Sequence, residues 1–118
     1  MIVGWHDGEV SPGREWDSEI KERIDRAHII LLLVSQDFLA SDHYYEKEMK
    51  RALERHEAGE AHVIPIILRP THWEITPFGK LQALPTKAKP VTRWSNRDEA
   101  FLDIVKGIQR VVDKLTSL

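Results

Sequence analysis

The chain has 118 residues and contains no cysteine, which excludes disulfides and metal centres ligated by cysteine. Its longest apolar run, Ile29 to Val34, is far too short to cross a bilayer. The formal net charge of −2 argues against broad, charge-driven binding to nucleic acid. Internal repeats and low-complexity tracts are also absent. We therefore expect one domain, residues 1–118, in the cytoplasm, with neither a membrane nor a nucleic acid as its partner.

The six histidines do not form a metal-binding pattern. No pair of them has the four-residue spacing of a helical metal site, and the carboxylates near them are of ordinary surface types. The sequence also lacks a phosphate-binding glycine loop and a nucleophile elbow. We therefore predict no metal site.

Strands and helices alternate along the sequence. The predicted strands cover Ile2–Trp5, Ile29–Val34, Val63–Leu68 and Pro90–Trp94, and the predicted helices cover Glu15–Arg26, His43–His56 and a segment that begins after Asn96. The second strand is continuously apolar, which is typical of a strand covered on both faces of a parallel sheet. This order of elements predicts a parallel sheet with right-handed crossover connections.

Single residues refine this prediction. Ser35 ends the second strand and is placed to cap a short turn. Pro65 removes one ladder hydrogen bond from the third strand, which predicts a sheet edge or a bulge. Trp73 and Phe78 are expected to anchor a loop. The final helix is predicted to bury one apolar stripe, made of Phe101, Ile104, Val105, Ile108, Val111, Val112 and Leu115.

Three segments in a fixed order resemble a known family. The first is Trp5-His6-Asp7 followed by Ser11-Pro12-Gly13. The second is VSQDFLASDHYYEKEM, residues 34–49. The third is VIPIILRP, residues 63–70, followed by PFGKL at 77–81 and KPV at 89–91. In order and spacing they resemble a bacterial-type TIR domain (Toll/interleukin-1 receptor-like), whose BB loop corresponds to the first segment.

This resemblance implies a flavodoxin-like, three-layer parallel sheet with about four strands and three main helices. The sequence has no counterpart of the family's first strand and helix, which precede the equivalent of Ile2, so the fold is expected to be N-terminally truncated. In the family that strand lies between the strands predicted here at Ile2–Trp5 and Ile29–Val34. Either the chain is a fragment or a late-start gene model, or these two strands pair directly or borrow a strand from a partner.

The resemblance also implies a chemistry. Some members of the family hydrolyse NAD+ as a substrate, without a further cofactor, and the family's glutamate corresponds to Glu48. A carboxylate against the ribose would stabilise an oxocarbenium-like transition state. Tyr44 lies one helical turn earlier and is placed to form an aromatic wall. Ser35, Pro12 and Gly13 are the remaining residues expected to line the substrate pocket.

Each of these residues also has a structural interpretation. A glutamate on an amphipathic helix is usually a solvated surface charge, and Glu48 would be one without the resemblance. Tyr44 is about as often simple packing, Ser35 is as readily a cap, and Pro12-Gly13 is first of all a turn.

Three functions remain open at this stage. The first is an NAD+ glycohydrolase (NADase) in a bacterial immune, antiphage or signalling system, with active sites that in this family can form between protomers. The second is a non-catalytic module that assembles with other TIR domains. The third, a nucleoside deoxyribosyltransferase-like enzyme, is disfavoured because residues 5–13 and 63–70 fit it poorly.

Overall fold

The computed structural model describes the backbone of residues 2–4, 16–40 and 42–117, and the side chains of residues 21–39 and 48–117. The strands are β1 (Ile2–Gly4), β2 (Ile29–Val34) and β3 (His62–Ile67). The α-helices are α1 (Trp16–Arg26), α2 (Gln36–Ala40), α3 (Asp42–Glu57) and α4 (Arg97–Thr116). Short 3₁₀ helices cover Trp73–Ile75, Thr86–Ala88 and Val91–Arg93.

The three strands form a parallel sheet in the order β1, β2, β3. Strands β1 and β2 pair directly, with Ile2 opposite Ile29 and Gly4 opposite Leu31. Within the described residues no strand lies between them. Of the arrangements that the sequence leaves open for these two strands, the structure therefore shows direct pairing.

Pro65 lies in β3 without interrupting its ladder with β2. Its carbonyl accepts a hydrogen bond from the Leu84 N–H at 2.9 Å, and the Ile67 N–H donates to the Leu84 carbonyl at 2.8 Å. Since the N–H and C=O of one strand residue face the same side, the missing donor of Pro65 faces Leu84 rather than β2. The prediction of an edge position is confirmed, because Leu84 adds only an isolated bridge beyond β3.

The predicted strand at Pro90–Trp94 is wrong, because residues 91–93 form a 3₁₀ helix. A single hydrogen bond, from the Thr92 N–H to the Leu68 carbonyl at 3.2 Å, connects this segment to the chain just after β3. On this side of β3, Leu84 already bridges Ile66, and the segment at 90–94 meets the chain only beyond the strand, at Leu68.

The helices cover both faces of the sheet. Ile24 of α1 and Ala27, just after this helix, pack with Met49 and Ala52 of α3 on one face, in the same cluster as Trp73 and Phe78. Ala100 and Ile104 of α4 pack on the other face. These layers confirm the flavodoxin-like architecture. Trp73 and Phe78 are buried and stacked, with ring centroids 6.3 Å apart, which confirms them as loop anchors.

Helix α4 begins as its sequence predicts. The Asn96 side-chain oxygen accepts hydrogen bonds from the N–H groups of Asp98 and Glu99, at 2.8 and 3.2 Å. Its buried face differs from the predicted stripe, because Phe101, Val105 and Leu115 are 49%, 58% and 39% exposed. The small residues Ala100 and Gly107 lie on the buried face instead, beside Ile104. A prediction of the buried face that considers only large apolar residues overlooks small residues such as these.

Among the described residues, no helix combines the length and the apolar character that a membrane crossing would require.

Candidate functional site

Helix α3 places Glu48 against the interior of the protein. The residue is only 6% exposed, and it shares the buried face of the helix with Met49, Ala52 and Arg55. Within the part of the chain that the structure describes, Glu48 and Arg55 are the two charged residues that are buried. Because burying a charged side chain is costly, the burial of each of these two residues needs an explanation.

The burial of Arg55 has a structural explanation. Its Nη1 donates to the carbonyl of Ile24 and, at 2.6 Å, to that of Ala27, at the C-terminal end of α1. Its Nη2 and Nε donate to the Glu60 carbonyl and carboxylate at 3.2 and 3.4 Å. A cation at a helix C-terminus satisfies carbonyls that have no partner within the helix and interacts favourably with the helix dipole. Arg55 thus fastens α1 to α3.

The position of Glu48 is not the solvated one that a helical glutamate usually occupies. Burying a neutral polar group without a hydrogen bond costs on the order of 1–3 kcal/mol. Burying a carboxylate costs more, several kcal/mol, unless it is paired or hydrogen-bonded. Buried charged groups are concentrated at functional sites, although structural ion-pair networks also contain them. The interpretation of Glu48 as an ordinary surface charge is therefore excluded.

Ser35 follows the carboxyl end of β2 and begins α2. The Phe38 N–H donates to its side-chain oxygen at 3.2 Å, so the predicted capping role is confirmed. Helix α2 in turn packs against β2 and α3. Ser35 therefore links the end of the strand to the layer that holds Glu48, while its contact with a substrate stays a prediction.

The other predicted pocket residues are only partly within the description. Tyr44 lies in α3 one turn before Glu48, as predicted, but its side chain is outside the described residues. Pro12 and Gly13 lie outside the described residues altogether. Their roles at the substrate stay predictions.

A depression of about 460 Å³ opens at the carboxyl ends of β2 and β3. Its described lining comes from α2 and from the segment after β3, and consists of Gln36, Asp37, Leu39, Thr71 and His72. Ser35 and Glu48 are not part of that lining. Within the described residues, the Thr71 hydroxyl oxygen is shielded from solvent and has no hydrogen-bond partner.

No motif in the sequence singles out Thr71 and His72. Both follow the end of β3, next to the end of β2, which is where open parallel sheets place their ligands. Their position after the end of β3 is the sequence signal that could have identified them as pocket residues. No three histidine, aspartate or glutamate side chains gather as potential metal ligands among the described residues.

Comparison with known proteins agrees with this fold. Residues 2–104 match the model of the family described as TIR domain. The chain belongs to the TIR domain family. This TIR domain is 48% identical over 116 residues to "Uncharacterized protein y4lF" of Sinorhizobium fredii (strain NBRC 101917 / NGR234). The alignment covers 98% of the chain and 36% of that relative, so the chain spans about a third of the relative's length.

No solved structure matches the chain significantly. The family match confirms the resemblance in the sequence and the flavodoxin-like fold. Enzymes and assembly modules both occur in this family, so the activity of the TIR domain has to be argued from its site.

Proposed function

We propose that this TIR domain is an NAD+ glycohydrolase, acting in a bacterial immune or signalling system in the cytoplasm. The observation that supports this most is the buried carboxylate of Glu48, 6% exposed, on α3, which α2 connects to the carboxyl end of β2. Open α/β sheets bind their ligands outside these strand ends. The relative of known sequence is itself from a bacterium.

The reaction needs one carboxylate rather than two. The bond between nicotinamide and the ribose C1′ breaks, and its electron pair neutralises the pyridinium nitrogen, so no general acid has to protonate the leaving group. Positive charge develops on the ribose, and a carboxylate with little access to water stabilises it more strongly than one in bulk solvent. Water then bonds to C1′ and releases a proton, which gives ADP-ribose.

In this proposal the other residues position NAD+. Tyr44, one turn before Glu48 on α3, would lie against the nicotinamide or ribose ring. Ser35 would line the pocket at the end of β2, and Pro12 and Gly13 are also proposed to line it. NAD+ is the substrate, and no cofactor or metal takes part.

Nicotinamide release from NAD+ tests the proposal. The protein is assayed over a range of concentrations up to the highest attainable, so that an active site shared between protomers can form. Glu48→Gln should lower the rate of release by about 100-fold or more, whereas Glu57→Gln, a 67% exposed carboxylate at the end of the same helix, should not change it. A wild-type protein that releases no nicotinamide at any concentration would reject the enzymatic function.

An exposed apolar patch favours the second candidate, a non-catalytic module that assembles with other TIR domains. Phe101, Leu102 and Val105 of α4 are 49%, 53% and 58% exposed and lie close together on the helix. Contiguous apolar surface of this kind marks protein–protein contacts.

Self-association is the measurement that tests this second function. Sedimentation velocity should show assembly of the wild type that is lost in Phe101→Asp but kept in Lys106→Asp, which changes an exposed residue of the same helix. Assembly without nicotinamide release would favour the module. A protein that stays monomeric at every concentration would reject it.

A further inference from the structure

A second cavity lies beside β3, away from Glu48. It has a volume of about 500 Å³ and lies between residues 81–88 and α4. Helix α4 covers the face of the sheet opposite to α3. The proposed NAD+ chemistry does not use this cavity, so it requires its own explanation.

Three cations surround the cavity. Arg110 and Lys114 lie four residues apart on α4 and therefore share one helix face, and Lys87 lies in the opposite wall. The described lining contains no aspartate or glutamate. Within the described residues, none of the three cations forms an ion pair with a carboxylate. The three cations, all exposed to solvent, are therefore available to an anionic ligand.

The wall that carries Lys87 is fixed to α4. The N–H and hydroxyl of Thr86 donate to the two carboxylate oxygens of Asp103, both at 2.6 Å. Lys87 itself adopts a φ of 60°, in the left-handed region that is uncommon for residues other than glycine. The backbone is therefore held in a conformation that places a lysine at the cavity.

Part of the lining is apolar. Trp73 is buried, and Leu84 and Val111 lie nearby on the two walls. At Gly107, where α4 meets Leu84, an added Cβ would lie 2.5 Å from the Leu84 Cδ2. The close approach of helix and loop leaves an apolar surface beside the cations.

We propose that this cavity binds a small organic phosphate. Its phosphate group is held by Lys87, Arg110 and Lys114. Its apolar or ring-shaped body lies on the surface formed by Trp73, Leu84 and Val111. A guanidinium binds phosphate through two parallel hydrogen bonds, which makes Arg110 the central contact. Pockets for small ligands commonly measure on the order of 300–1,000 Å³, which includes this cavity.

Phenyl phosphate is a probe that contains both features and little else. Isothermal titration calorimetry on the full chain should detect its binding, and inorganic phosphate and phenol, each with one of the two features, should bind at least about tenfold more weakly. Arg110→Gln with Lys114→Gln should weaken phenyl phosphate binding by about 100-fold, at roughly tenfold for each lost charge-assisted contact. Lys106→Gln, an exposed cation of α4 outside the lining, should bind like the wild type.

Lys87→Gly separates binding from folding. Because φ is positive at this position, glycine should keep or raise the melting temperature, whereas loss of the cation should weaken binding about tenfold. The proposal is overturned if millimolar phenyl phosphate does not bind to the wild type, or if inorganic phosphate binds as tightly. Binding unchanged in Lys87→Gly and in the double variant, or lost equally in Lys106→Gln, would also overturn it.

Discussion

Replacing Arg55 by alanine removes the contact that fastens the end of α1 to α3. The arginine is 7% exposed, and its Nη1 donates to the carbonyls of Ile24 and Ala27. Alanine leaves both carbonyls without this donor, in a region where water cannot easily replace it. We therefore expect this single substitution to lower the free energy of unfolding substantially.

The size of the effect follows from these contacts. A hydrogen bond to a charged group contributes about 1.5–3 kcal/mol, so two buried ones give roughly 3–6 kcal/mol. The contact with the Glu60 carboxylate adds little, because that side chain is 57% exposed. Domains of this size are stable by about 5–15 kcal/mol, and each kcal/mol shifts the melting temperature by about 3–6 °C. Arg55→Ala should therefore lower the melting temperature by about 10–35 °C.

Thermal and urea unfolding, followed by circular dichroism, measure this loss. The matched control is Arg51→Ala, one turn earlier on α3, which removes an ion pair to Asp25 of α1 at 2.8 Å. Both partners of that pair are accessible to water, so the melting temperature should change little. If Arg55→Ala were as stable as Arg51→Ala, the structural explanation for the buried arginine would be refuted.

Three smaller changes test other contacts by urea unfolding. Asn96→Ala removes the cap of α4 and should cost about 1 kcal/mol. Gly79→Ala would place a Cβ 2.1 Å from the Glu74 carbonyl oxygen, so the backbone must shift, at a cost of about 1–3 kcal/mol. The His56 Nδ1 accepts from the Val63 N–H at 3.0 Å, and partial burial lowers the pKa of this imidazole. The folded state therefore favours neutral His56, and its contribution to stability should be full above about pH 6.5 and be lost as the pH falls through the lowered pKa.

Conservative variants control these measurements. Asn96→Asp keeps a capping oxygen and should retain the stability of the wild type. Gly79→Ala with unchanged stability would contradict the close contact. His56→Gln should reduce the loss of stability between about pH 7 and pH 5, and an identical pH profile would show that other groups cause it.

The buried strands and the helix bounds could be predicted because their patterns are local. The apolar run of β2 was placed at Ile29–Val34 and is found there, and the first helix, predicted at Glu15–Arg26, begins at Trp16. The proposed strand at Pro90–Trp94 failed for a non-local reason. Its sequence favours a strand, but whether it joins the sheet depends on the edge of β3, where Leu84 already bridges Ile66.

Less of the candidate site could be predicted. Only the family resemblance distinguishes Glu48 in the sequence, since Glu46 and Lys47 beside it look equally ordinary. Its burial depends on how α3 is oriented against the sheet. The role of Arg55 depends on carbonyls 28 and 31 residues away, which no local pattern reveals.

Nicotinamide release by Glu48→Gln at high protein concentration tests the central claim most directly. The variant keeps the size of the side chain and removes the charge that would stabilise the ribose cation. We expect its rate of release to fall by about 100-fold or more, as when one preorganised electrostatic contact is lost from an active site. Glu57→Gln should keep the wild-type rate. Release from Glu48→Gln at the wild-type rate would contradict the assignment of Glu48 as the catalytic residue.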